Sequence, residues 1–237
     1  MDGFSYHNIF ETKGLEYLII IAFLILLIPF SVILNKKVSM RKRVREALGV
    51  LTSGVLKIPR GVYISRNHTW AHLAKSGIAT VGLDDLLLHI TGEVKVTHLK
   101  QAGEDVKRGD VITELNHHGK VLKVCSPISG RVVGSNTLVT DDAWALNEDP
   151  YGAGWLLRIE PANWKAEISN FYLADTASSF SKNELIRFRD FLATRMPKYS
   201  PDVSLVALQD GGELRDHLLA DLPEGMWREF EMEFMKE

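Results

Sequence analysis

The sequence predicts a mainly β domain that follows one N-terminal transmembrane helix and precedes an α-rich C-terminal extension. Three observations favour this fold class. Residues 17–34 are mostly apolar and carry no charged residue, residues 62–160 alternate short β-rich runs with turn residues, and the chain after residue 178 has helical spacing. The predicted domains are the N-terminus with the transmembrane helix at 1–35, a basic juxtamembrane segment at 36–61, the β domain at 62–177 and the extension at 178–237.

Composition narrows the function classes. The chain has 237 residues, of which 46% are hydrophobic and 24% charged, and its formal net charge is −2. This charge gives no sign of a nucleic-acid partner. The single cysteine, Cys125, excludes an intrachain disulfide or a multi-cysteine metal site. We expect Cys125 to pack as a small apolar residue in a strand.

The predicted anchor begins at Tyr17, contains Phe23 and Pro29, and ends at Leu34. Its 18 residues carry no charge, and as a helix they would cover about 27 Å, close to the hydrocarbon thickness of a bilayer. The preceding residues lack the basic character of a secretory signal peptide. We therefore expect an uncleaved anchor with membrane lipid as its partner and no ion path of its own.

Basic residues follow the apolar segment at once, and short flanks rich in Lys and Arg stay on the cytoplasmic side. They predict a single-pass protein of the inner or cytoplasmic membrane, with its N-terminus outside and its C-terminal domain in the cytoplasm. The residues that carry this topology signal are Lys36, Lys37, Arg41, Lys42, Arg43 and Arg45.

A β-hairpin is the centre of the predicted β domain. Val111, Ile112 and Leu115 lead into the polar segment 116–120, and a second apolar run follows over 121–124. A Ser-Pro-Ile-Ser-Gly turn then leads into a third strand near 131–133. Further strands are predicted at 62–64, 71–73, 78–81, 93–96 and 155–159, with one helical turn at 84–90.

Five motifs stand out in this domain. They are Asn67–Trp70, Ala79–Asp85, Gly109–Asp110, Ser126–Gly130 and Asn147–Leu156, the last followed by Pro161–Asn163. In order and spacing they resemble the motifs of the H protein of the glycine cleavage system, a lipoyl carrier, and the most specific of them is Asn-Glu-Asp-Pro-Tyr-Gly-Ala-Gly-Trp-Leu. The resemblance covers roughly residues 62–175 and implies a flattened β half-barrel or sandwich.

The resemblance also implies where the lipoyl lysine should lie. Counted without a gap from Asp110 to Ser126, that position falls on Gly119, which cannot form an amide with lipoate. Lys120 comes one residue later, and a shift of one residue in a hairpin normally turns the side chain to the other face. We expect lipoylation to be lost, so that no cofactor is bound. The alternative is a shifted lipoyl site on Lys120.

Other polar clusters do not predict catalysis or a metal site. His117 and His118 are adjacent, and neighbouring side chains of a strand point to opposite faces. Asp84–Asp85 is expected to cap a short helix, and Asp141–Asp142 to lie in a loop. The sequence contains no phosphate-binding loop, dinucleotide fingerprint or nucleophile elbow. It therefore predicts a protein that is not an enzyme and has no small-molecule substrate.

The extension predicts several elements. Ser181 and Glu184 form a capping box for a helix that should end at Met196-Pro197. A strand is expected at 203–208 and a helix at 213–220. Met226, Trp227, Phe230 and Phe234 have the spacing of an amphipathic helix, which would pack on its own domain or dock on another subunit.

These features favour a non-catalytic, membrane-anchored accessory or scaffolding subunit of a membrane complex on the cytoplasmic face, with the other subunits as partners. The alternative is a carrier lipoylated at Lys120 and tethered near a membrane redox complex. A third hypothesis is a regulatory module that binds carrier-processing enzymes without being modified.

Overall fold

The structure, a computed structural model, describes residues 17–30, 49–142, 144–199 and 214–236. The chain divides into two compact units, residues 1–48 and 49–237. In the first unit, residues 17–30 form helix α1, whose residues are all exposed. At 1.5 Å per residue α1 covers about 21 Å. No helix among the described residues has both the length and the apolar character for crossing a bilayer, so the predicted transmembrane helix at 17–34 is not supported.

The described residues of the second unit form three antiparallel sheets. The largest has six strands in the order β2-β3-β4-β10-β9-β6, the second has the order β5-β7-β8, and β1 pairs with β11. The strands are β1 (Val50–Leu51), β2 (Tyr63–Ile64), β3 (Thr69–Leu73), β4 (Ala79–Leu83), β5 (Lys95–His98), β6 (Asp105–Val106), β7 (Val111–His117), β8 (Lys120–Cys125), β9 (Gly130–Ser135), β10 (Leu157–Pro161) and β11 (Leu214–Arg215).

Side chains that alternate along the strands form the core between these sheets. Ala79, Val81 and Leu83 of β4 are buried, and so are Leu122 and Val124 of β8. Residues two apart on a strand share a face, so each strand turns one apolar row inward. The predicted strands and the hairpin are confirmed, with ends that differ by at most two residues; the short strands β1, β6 and β11 were not predicted.

The short helices join the strands and cap the core. Asp84 accepts a hydrogen bond from the Leu87 backbone N–H and so caps α2, as predicted. Asp141 ends α3 instead of lying in a loop. The helices are α2 (Asp85–Thr91), α3 (Leu138–Asp141), α4 (Trp144–Glu148), α5 (Trp164–Glu167), α6 (Asp175–Tyr199) and α7 (Glu224–Phe234), with 3-10 turns at Ile168–Asn170 and Leu218–Asp221.

The long helix of the extension, α6, differs from its prediction at both ends. It begins at Asp175, so Ser181 lies inside the helix, where it is buried, and does not cap it. It also continues past Pro197 to Tyr199. Buried Met196 and the hydrogen bond from the Tyr199 hydroxyl to Glu229, 2.6 Å long, hold the last turn in place.

The rest of the extension is partly as predicted. The prediction of a helix at 213–220 is wrong, because strand β11 and the 3-10 turn Leu218–Asp221 lie there. The strand predicted at 203–208 lies outside the described residues. Helix α7 confirms the amphipathic pattern: Met226, Trp227, Phe230 and Phe234 are buried within this protein, whereas Met232 is exposed. Rings from α6 and α7 interlock, with Phe188 and Phe230 edge to face at 5.7 Å.

Candidate functional site

The tip of the β7–β8 hairpin is a two-residue turn. His117 pairs with Lys120, so His118 and Gly119 are the turn residues. Both have positive φ, 49° and 88°, as the favoured two-residue hairpin turn requires. The side chain of Asn116 accepts a hydrogen bond from the Gly119 N–H at 3.1 Å. Gly119 is therefore placed at the tip by the backbone conformation that a tight turn needs.

The extension covers the Lys120 side of this tip. The Lys120 ammonium donates a hydrogen bond to the carbonyl oxygen of Ala220 at 2.6 Å and lies 5.9 Å from the centre of the Trp227 ring. Lys120 itself is half-buried. Its charge is satisfied by an acceptor and an aromatic face from within the same chain.

Trp227 holds this arrangement together. It is fully buried and stacks on the His117 ring, with 5.9 Å between ring centres and 10° between planes. Its indole N–H donates to the Leu219 carbonyl at 2.7 Å, which fixes the 3-10 turn that contains Ala220. His117 in turn is hydrogen-bonded through Nδ1 to the Glu93 carbonyl at 2.7 Å. The contact with Lys120 is thus part of a packed interface.

Lys123, the other lysine of the hairpin, lies in β8 as predicted and is exposed. Its backbone N–H donates to Glu231 of α7 at 3.3 Å. Lys123 lies within the strand and away from the tip. Cys125 ends the same strand and is half-buried. Among the hairpin lysines, only Lys120 is therefore next to the turn.

A buried ionic cluster joins the β domain to α6. His68 is fully buried, and its Nδ1 lies 2.8 Å from Asp84 Oδ2, while Nε2 lies 3.5 Å from Glu184 Oε2. Burial lowers the pKa of His68, but the two carboxylates outweigh burial and raise the pKa to about 9. His68 is therefore the cation that both carboxylates share at neutral pH.

The sequence did not indicate this cluster. Burial raises the pKa of Glu184, yet the charges of His68 and Arg187 outweigh burial and lower it. Glu184 appeared as half of a capping box, and Asp84 as a helix cap. His68 has a positive φ of 58°, and its ring is fully buried.

The remaining predicted residues have local roles or lie outside the described part. The carboxylate of Asp85 accepts the Lys57 N–H at 2.7 Å, and that of Asp142 accepts the Trp144 N–H at 3.0 Å. His118 is exposed at the tip. Tyr17, Phe23 and Pro29 lie on α1 with exposed side chains. Leu34 and the six basic residues at 36, 37, 41, 42, 43 and 45 lie outside the described residues.

Comparison with known proteins places this fold in a family. The family model described as "Glycine cleavage H-protein" matches residues 62–184. The "Probable glycine cleavage system H protein" of Pyrococcus abyssi is 32% identical over 130 residues, which are 55% of this chain and 96% of that protein. The glycine cleavage system H protein of Hydrogenovibrio crunogenus is 32% identical over 104 residues, 44% of this chain and 81% of that protein.

Among solved structures, the glycine cleavage system H protein of Mycobacterium marinum is 27% identical, with a TM-score of 0.44, over 54% of this chain and 98% of that protein. The family model covers more than half of the chain, and the relatives are matched over nearly their whole length. The motifs that resembled the H protein lie inside the matched residues. The chain therefore belongs to the glycine cleavage H-protein family.

Proposed function

We propose that this chain is an H-protein-like subunit that no longer carries lipoate and serves as an accessory or scaffolding subunit of a membrane complex on the cytoplasmic face. The observation that carries the proposal is the hairpin tip. The position that the resemblance gives to the lipoyl lysine is Gly119, and the ammonium of Lys120 is bonded to Ala220. A lipoyl lysine must project into solvent so that its dithiolane can reach distant active sites.

The extension supports a scaffolding role in a second way. Beyond the matched residues, which end within α6 at residue 184, it adds the rest of α6, β11 and α7, and these pack into one core with the β domain. A carrier needs a mobile arm above a small, accessible tip, whereas this tip is packed against Trp227 on one side. A rigid, enlarged domain is better suited to holding other subunits in place than to shuttling between enzymes.

The membrane part of the proposal depends on α1 and on residues beyond it. Large apolar side chains of α1, from Tyr17 to Phe30, are 45–68% exposed, and such a surface is favourable only against lipid or protein. The run of basic residues after it would keep the H-protein-like domain in the cytoplasm. Extraction of native membranes with alkaline carbonate tests this part: retention in the pellet is expected, and release into the supernatant contradicts it.

The second candidate is a carrier lipoylated on Lys120 and tethered near a membrane redox complex, and family membership favours it. Intact mass of the protein from its native membrane, with peptide mapping over residues 109–130, separates the two. Our proposal expects an unmodified peptide in cells whose other lipoyl proteins are modified. A lipoyl-sized addition on Lys120 would overturn it. The variant Lys120→Arg should then retain complex assembly if the chain is a scaffold and lose function if it is a carrier.

A further inference from the structure

Three side chains at the contact between α2 and the end of β11 bring potential ligand atoms close together. His89 Nδ1 lies 2.8 Å from Asp216 Oδ1, and His217 Nε2 lies 3.7 Å from Asp216 Oδ2. One ligand atom from each of the three residues lies within 4.8 Å of the others. Within the described residues this is the one group of three or more His, Cys, Asp or Glu side chains with that geometry.

The separations can be compared with those of a tetrahedral ion. With bonds of roughly 2.0–2.1 Å to nitrogen and oxygen, two ligand atoms of a tetrahedral site are about 3.3 Å apart. His89 Nδ1 and Asp216 Oδ1 are 2.8 Å apart, so an ion that replaces the proton between them would move these two atoms about half an ångström apart. One ligand atom from each of the three residues already lies within 4.8 Å of the others.

A carboxylate lies on the other side of the His89 ring. Nε2 of His89 lies 3.6 Å from Asp85 Oδ2, and that oxygen accepts the Lys57 N–H at 2.7 Å. A histidine that binds a metal through one nitrogen commonly points the other towards a carboxylate, which fixes its tautomer and orientation. In this arrangement Nδ1 is the nitrogen left to bind an ion. Asp85 is therefore a positioning residue and not a ligand.

The backbone brings His217 to this place. The His217 N–H donates to the carbonyl of His89 at 2.7 Å, and His217 has a positive φ of 57°. Gly92 lies beneath it, where a Cβ would be 3.0 Å from the His217 side chain. A larger residue at position 92 would crowd the ring. The close approach of the two histidines is thus built into the fold.

We propose that His89, Asp216 and His217 form a binding site for a divalent transition-metal ion of the zinc class. A set of two imidazoles and one carboxylate favours ions of the zinc class. Mg²⁺ and Ca²⁺ prefer ligand sets made of oxygen atoms. The His217 side chain is 51% exposed, so the fourth position faces solvent and is open to water or to a ligand atom of a partner protein. The ion would tie the extension to α2.

The test uses the untagged full-length chain in detergent, stripped of metal with a chelator and dialysed. Calorimetric titration with Zn²⁺ measures affinity and stoichiometry, absorption of the Co²⁺ complex reports nitrogen coordination, and Mg²⁺ is the control ion. His217→Asn removes an exposed ligand and retains a residue type that tolerates positive φ. His72→Gln is the matched control, because His72 is exposed on β3 and outside the cluster.

One Zn²⁺ per chain is expected. Loss of a residue that hydrogen-bonds to a metal ligand lowers metal affinity by roughly 10- to 100-fold, and loss of a ligand should cost at least as much. We therefore expect His217→Asn to lower the affinity for Zn²⁺ by at least this factor, and His72→Gln to retain the Zn²⁺ affinity of the unchanged protein. The proposal is overturned if the unchanged protein binds no Zn²⁺ saturably, if His217→Asn binds as tightly as the control, or if Mg²⁺ competes equally.

Discussion

The ammonium of Lys120 lies 2.6 Å from the carbonyl oxygen of Ala220, although one hundred residues separate them in the chain. This contact connects the hairpin tip, where a lipoyl carrier presents its lysine, to the part of the extension beyond residue 184, where the family match ends. The contact can be tested in solution, because it should make the amine of Lys120 less reactive than that of Lys123, the other lysine of the hairpin.

Amine labelling should distinguish Lys120 from Lys123. Lys123 is exposed, whereas Lys120 is half-buried and donates to Ala220. An amine-reactive reagent at low dose, followed by peptide mass spectrometry, should modify Lys123 several-fold faster. Trp227→Ala should raise the rate at Lys120 relative to Lys123, because the indole fixes the Leu219 carbonyl next to Ala220. Equal rates in the unchanged protein would contradict the contact.

Truncation of the buried indole should also destabilise the fold. Trp227 is 0% exposed, and we expect Trp227→Ala to lower the free energy of unfolding by about 3–5 kcal/mol. Met232 lies on the same helix and is 60% exposed, so Met232→Ala is the matched control and should change it by less than about 0.5 kcal/mol. Denaturant unfolding measures both. A loss below about 1 kcal/mol in Trp227→Ala would show that the extension is not part of the core.

Stability should depend on pH through His68. Its pKa is about 9 in the folded protein against the usual 6.5, so its contribution is fully present below pH 6.5 and is lost as the pH rises through 9. The two carboxylates that face it are Asp84 and Glu184. The loss should be on the order of 3 kcal/mol.

The measurement is the free energy of unfolding from pH 6 to pH 10. His68→Asn, which retains a residue type that tolerates positive φ, should be less stable at pH 6 and should flatten the curve over this interval. His72→Gln should follow the unchanged protein. A curve for the unchanged protein that is as flat as that of His68→Asn would contradict the role of the shared cation.

The turn glycine should be sensitive to substitution for a reason of backbone conformation alone. Gly119 has a φ of 88°, and a Cβ there would meet nothing within 4 Å. Gly119→Ala should therefore cost about 1–2 kcal/mol of stability. Gly134 has the same open surroundings without a positive φ, so Gly134→Ala is the control and should not destabilise. If both substitutions changed the free energy of unfolding equally, the positive φ of Gly119 would not be the cause.

The sequence predicted the local elements well and the contacts between distant elements poorly. The hairpin followed from two apolar runs around a glycine-containing turn, and α7 followed from the spacing of Trp227, Phe230 and Phe234. Periodicity shows that a helix has an apolar face, but it does not show which surface covers that face. The contact of α7 with the hairpin therefore required the structure.

The same limit explains the buried cluster and the errors in α6. His68, Asp84 and Glu184 come from three separate segments, and each has an ordinary local interpretation. Ser181 and Glu184 matched a capping box by type and spacing, yet apolar packing of residues such as Phe180 outweighed that local signal. Pro197 indicated a helix end, but α6 continues two residues past it to Tyr199, whose hydroxyl donates to Glu229 of α7.

Because Lys120 and its acceptor Ala220 are far apart in the chain, the ribosome also makes them at different times. At a synthesis rate of about 5–20 residues per second, Ala220 is made roughly 5–20 s after Lys120. During that interval the hairpin can form while the ribosome has yet to deliver the segment that covers it. A modifying enzyme that acts on the nascent chain would therefore encounter an uncovered lysine, whereas one that acts after release would encounter the covered form.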